Sequence, residues 1–98
     1  MKIYKSLEGE KLTIGLEGRL DTTTSCDLED VLADCIDDAA ELVIDMTGLE
    51  YISSAGLRVL LAAQKKMYDQ GEMIVTGCND DVMDVFEVTG FTNILTIR

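Results

Sequence analysis

The chain has 98 residues, 47% of them hydrophobic and 28% charged, with a formal charge of -11 and no histidine. That length holds one compact domain, residues 1–98, with a single core, and the apolar fraction argues against a disordered chain. The excess of acid repels phosphate backbones and anionic headgroups, so neither nucleic acid nor a membrane surface is expected as a partner, and docking onto a basic protein surface is favoured.

No apolar run approaches the roughly 18 residues of a membrane span, and Met1 leads directly into strand-like sequence, so a cytoplasmic location is expected. Cys26, Cys35 and Cys78 are an odd number with no CxxC pair, which argues against a disulfide framework or a structural zinc site. With no histidine to act as a base, cysteine catalysis is not expected either.

Met1 to Leu7 reads as a strand, paired through Glu8, Gly9 and Glu10 with a second strand over Lys11 to Gly18. There Leu12, Ile14 and Leu16 alternate with Thr13, Gly15 and Glu17. Leu28, Val31, Leu32, Cys35, Ile36 and Ala39 repeat at intervals of three and four, one face of a first helix, which places Cys35 in core packing. Asp21 to Ser25 supply its candidate N-caps.

Leu42 to Ile44 is a short buried strand expected to end at Asp45 and give way to a loop. A second helix carries Leu57, Leu60, Leu61, Met67 and Tyr68 at helical spacing and stops at Gly71. Met73 to Thr76 is strand-like. Asn79 or Asp80 then caps a third helix bearing Val82, Val85 and Phe86, Gly90 ends it, and Ile94 to Ile97 closes the chain as a strand. Strand and helix alternate in the later part, which predicts an α/β fold with a mixed sheet of four to five strands covered by three or more helices.

The stretch from Asp45 to Leu61, DMTGLEYISSAGLRVLL, runs from a strand end through a serine pair into the second helix. Serine at a helix start ordinarily caps it. Free amides and the helix dipole there also favour a negative group, so the fold tolerates a phosphate on Ser53 or Ser54. Gly56 allows another backbone to approach closely at the same corner. Asp45 to Gly48 also reads Asp-x-x-Gly as in GTPases, but no Gly-x-x-x-x-Gly-Lys loop accompanies it.

Asp45, Leu49, Ile52, Ser54, Ala55, Gly56 and Leu57 together resemble the signature of the STAS domain family, in which an acid ends a central strand and Asp-Ser-Ser/Ala-Gly-Leu opens a helix. Gly18, Arg19, Leu20 and Asp21 are similar to that family's Gly-x-Leu-Asp turn. Val88, Thr89, Gly90, Phe91 and Ile94 are similar to its closing helix-to-strand turn, so the likeness covers nearly the whole chain. The family's founding members are bacterial anti-sigma-factor antagonists.

The resemblance implies a non-enzymatic regulator that binds an anti-sigma factor doubling as a GHKL-type serine kinase, in a partner-switching pathway, with no cofactor, metal or small-molecule ligand. It makes Ser54 the phosphorylated serine. Ser53 stands where relatives carry an acid and is a competing acceptor. Asp21 corresponds to a loop acid near the acceptor, and with Thr22, Ser53, Ser54, Ala55, Gly56 and Arg58 it makes up the expected partner-binding surface. The alternative that the family offers is a standalone subunit of a lipid-trafficking ABC transporter, which binds the ATPase without phosphorylation.

Overall fold

A computed structural model describes all 98 residues. The alternation at the N-terminus builds an antiparallel hairpin, β1 (Lys2–Glu8) and β2 (Lys11–Leu20), turned through Gly9 at φ 63. That left-handed backbone suits a tight hairpin turn and costs glycine nothing sterically. Three crossovers follow: α1 (Thr22–Cys35) leads to β3 (Glu41–Ile52), α2 (Ser54–Gln70) to β4 (Glu72–Thr76), and α3 (Asp80–Thr89) to β5 (Thr96–Ile97).

The five strands lie in sequence order, β1 to β5, and every pair after the hairpin is parallel. Right-handed crossovers that step always in the same direction place all three helices on one face of the sheet. Burial agrees, since Leu12, Ile14 and Leu16 of β2 and Leu42, Ile44 and Met46 of β3 are sealed under the helices. Thr13, Gly15, Val43 and Asp45, between them, are partly exposed. One cluster of 23 buried residues forms the core, and each fully buried Leu or Ile in it contributes about 1.5–3 kcal/mol.

Four details differ from the sequence reading. The third strand does not stop at Asp45 but continues to Ile52. The first helix, capped by Asp21 from within the expected Asp21 to Ser25, gives way at Ile36–Asp38 to a 3-10 turn before its apolar stripe is complete. Tyr68, read as part of the apolar stripe of α2, is 84% exposed. The last strand is only Thr96–Ile97, because the chain leaves α3 through Gly90 at φ 80 into a 3-10 turn, Phe91–Asn93, and Ile94 keeps helical angles. Cys35 is half-buried and packs against the core as expected.

Candidate functional site

The site grows from the place where β2 and β3 end side by side. From Gly15 to Leu20, β2 takes five steps, while β3 takes seven from Asp45 to Ile52, with register shifts along the way. Extra residues on one strand are β-bulges, which bend and twist it. Asp45 braces the first bulge: its carboxylate accepts the Thr47 N–H at 3.0 Å and the Thr47 hydroxyl at 2.6 Å. Those two bonds, the hydroxyl's first, hold the Asp45 pKa below its ordinary value.

The bulges return the strands to register at Leu20 and Ile52, and the Ser53 N–H donates to the Leu20 carbonyl at 2.8 Å. The next residues, Asp21 and Ser53, are therefore neighbours, and each is the N-cap of a helix.

Asp21 closes a complete capping box. Its Oδ1 accepts the Thr23 N–H at 3.1 Å and the Thr24 N–H at 3.0 Å, and its own N–H donates to Thr24 Oγ1 at 2.8 Å. The Thr24 hydroxyl lies 3.1 Å from the same carboxylate oxygen and donates to the Arg19 carbonyl at 2.7 Å. The Thr24 amide and then its hydroxyl, followed by the Thr23 amide and the Arg19 charge, hold the Asp21 carboxyl below its ordinary range.

Ser53 is a weaker cap. Its Oγ accepts only the Gly56 N–H, at 3.4 Å, beyond the usual range for such a bond. No side chain caps the amides of Ser54 and Ala55. Ser54 is the first residue of α2 and is exposed; Ala55 is half-buried, Gly56 buried, and Arg58 exposed one turn further along. Gly56 fixes this turn against the sheet, since a Cβ there would lie 2.8 Å from Leu20 Cδ2 and 2.9 Å from Ile52 Cγ1.

Thr22, exposed in the first turn of α1, faces α2 across an open groove of about 320 Å³ that Cys26, Glu29, Ala55, Arg58 and Val59 also line. Asp21, Thr22, Ser53, Ser54, Ala55, Gly56 and Arg58 are thus brought to one corner of the molecule, built on paired strand ends. Asp45, read in the sequence as the acid of the signature, sits back at the bulge.

Two features of this corner escaped the sequence reading. Arg19 stacks its guanidinium 4.3 Å from the centre of the Tyr51 ring, as cross-strand partners on β2 and β3. The pairing is hidden until the bulges are counted. Cys26 and Glu29 line the groove from the face of α1 that meets α2, a helix pairing that periodicity does not reveal.

Chemically, the corner offers an open helix start and an exposed hydroxyl. Unbonded first-turn amides and the helix dipole attract an anion there, and an added phosphate has room. Burial pushes the thiols of Cys35 and Cys78 up, the opposite of what a cysteine nucleophile needs. No group of three or more His, Cys, Asp or Glu side chains is placed to hold a metal ion. No helix is long and apolar enough to cross a membrane.

Residues 2–98 match the STAS domain family. BtrV of Bordetella bronchiseptica, described as a candidate anti-sigma factor antagonist, is 37% identical over 84 residues, which cover 84% of this chain and 72% of BtrV. The anti-sigma-B factor antagonist of Listeria monocytogenes is 28% identical over 96 residues, covering 96% of this chain and 84% of that protein. Among solved structures, the anti-sigma factor antagonist SpoIIAA in its unphosphorylated form superimposes with a TM-score of 0.86 at 17% identity, covering 99% of this chain and 88% of its own. Its phosphorylated form, from Bacillus, gives 0.78 at 16% identity, covering 99% and 91%. The chain belongs to the STAS domain family.

Proposed function

We propose that this protein is a single-domain, non-enzymatic anti-sigma-factor antagonist of the bacterial cytoplasm. It binds an anti-sigma factor that is also a GHKL-type serine kinase, and it is released when that kinase phosphorylates Ser54. One observation carries the choice of Ser54: it is exposed at the first position of α2, whereas the neighbouring Ser53 is half-buried and its Oγ faces the Gly56 N–H as the cap. The antagonist names of the relatives supply the class of partner.

Phosphorylation adds about -1.5 to -2 charges, and salt screens exposed charges beyond roughly 8 Å, so in a chain already at -11 the effect is local. A hydrated dianion inside the patch must be desolvated before the partner can cover it. That can cost several kcal/mol, and about 3 kcal/mol weakens binding roughly a hundredfold.

The test begins with the proteins that co-purify from the host. A small GHKL-type kinase is the expected partner, and with ATP it places one phosphate on Ser54. Ser54→Asp then weakens the complex by at least about tenfold, 1.4 kcal/mol, in calorimetry, while Ser54→Ala stays bound. Equal affinities of the two variants would overturn the switch, undiminished phosphorylation of Ser54→Ala would move it to Ser53, and capture of an ABC ATPase instead would replace the whole reading.

A further inference from the structure

We propose that Arg58 receives the phosphate on Ser54: its guanidinium folds back along α2 onto the dianion, so modification removes a cation from this surface as well as adding an anion. This rests on Ser54 being the modified serine, and on nothing about which partner binds.

Ser54 and Arg58 are four residues apart on α2, so they lie on the same helix face with Cβ atoms about 5–6 Å apart, well within the reach of an arginine arm. The order is also the favourable one, with the anion N-terminal to the cation. A planar guanidinium matches phosphate oxygens in a two-pronged contact that a lysine cannot make.

Arg58 is free to do this. The two ion pairs of the molecule join Lys66 to Asp37 and Arg98 to Glu72, and Arg19 is stacked on Tyr51. Arg58 is exposed and makes no ion pair or hydrogen bond, although Glu29 lines the same groove from α1. The other cations of α2, Lys65 and Lys66, are three turns from Ser54, roughly 16 Å along the axis. No other helix offers a cation, since α1 and α3 carry acidic side chains only.

The neighbours on the other elements point the same way. Asp21 at the start of α1 is an anion whose Oδ1 is taken up by Thr23 and Thr24, and Glu50 of β3 is exposed and negative. Cys26 lines the groove as a thiol. Arg19 of β2 is the other cation of this corner and is held on the Tyr51 ring, so Arg58, one helical turn from Ser54, is the unpartnered cation left to meet a phosphate there.

The inference is tested without any partner. Phosphoserine is installed at position 54 by genetic code expansion and its second ionisation is followed by phosphorus NMR. The phosphate titrates below the value of about 6 of a free phosphomonoester. Arg58→Gln raises it by about half a pH unit, and Arg58→Lys recovers only part of the difference. Phosphoserine placed at position 53, off the Arg58 face of the helix, titrates the same with and without Arg58→Gln. Unmodified Arg58→Gln melts with the parent protein, which separates the effect from unfolding. Identical titration of phosphoserine 54 with Arg58 and with Arg58→Gln would overturn the inference, as would equal sensitivity at position 53. Neither result bears on whether a kinase modifies Ser54 in the host, which the co-purification experiment decides.

Discussion

The starts of α1 and α2 are built on one plan and finished differently. Both follow the last residue of a parallel strand, the two strand ends are hydrogen-bonded, and each helix opens with a polar cap. At α1 the anion is permanent: the Asp21 carboxylate holds two amides and draws in a hydroxyl. At α2 the cap is one long bond from Gly56 to an uncharged Ser53, and the amides of Ser54 and Ala55 wait. Adjacent helix starts thus differ in charge, one closed by its own carboxylate and the other left open, as the proposed phosphorylation of Ser54 requires.

The largest way to break this comparison is to lift α2 off the strand ends. Gly56→Ala inserts a methyl against Leu20 and Ile52, whose side chains are both buried in the core, so it should cost about 1–3 kcal/mol in urea denaturation. An unchanged midpoint would mean that the first turn of α2 is not pinned as described.

The caps themselves come next. Ser53→Ala should cost about 0.5 kcal/mol, the low end for a lost N-cap, because the bond it deletes is long. Asp21→Ala should cost more, and thermal melts of the pair that came out in the reverse order would undo the contrast. Asp21 also predicts an acid limb. Its folded pKa lies below the ordinary carboxylate value of 3.8, so between the two values the unfolded chain binds more protons. Its contribution is complete above the unfolded pKa and lost as pH falls through the folded one. Asp45 adds to the same limb. Asp21→Asn should flatten the loss of stability below about pH 4 and leave the pH dependence near neutrality unchanged.

The smallest effect sharpens the comparison. Ser54→Asp places at α2 the kind of anion that α1 already owns, and should hold or raise stability by about 0.3–1 kcal/mol at low salt. A melting temperature that falls would show that the open start does not welcome negative charge.

Much of the fold was legible because its elements are regular. The alternation of β2, the stripes of α1 and α2, and the glycine stops at Gly71 and Gly90 each reflect one period or one backbone preference. The second half of β3 was not legible, since its bulges destroy the period-two pattern that announces a strand: Leu49 and Ile52 are buried three residues apart. The start of α1 was legible only as a range, because Asp21 to Ser25 are all residues able to cap a helix; that Asp21 is the cap and Ser25 is buried, its hydroxyl bonding the Asp21 carbonyl, depends on the fold. At the site, the corner residues were named from the family likeness and found together. Their unequal caps could not have been read, because hydrogen-bond length depends on how the strands deliver each helix.

Sequential strand order has a consequence for how the chain folds. Each strand pairs with the one made just before it, so each parallel closure spans a single helix and its flanking turns. Closure entropy grows slowly with such spans. The β1–β2 hairpin can form by itself on the order of 1–10 μs and serve as a template, with each later strand adding to the edge most recently exposed. The walls of the corner that holds Asp21 and Ser54, β2, β3, α1 and α2, are all encoded before Gly71. On a ribosome, that corner can therefore assemble while α3 and β5 are still to emerge.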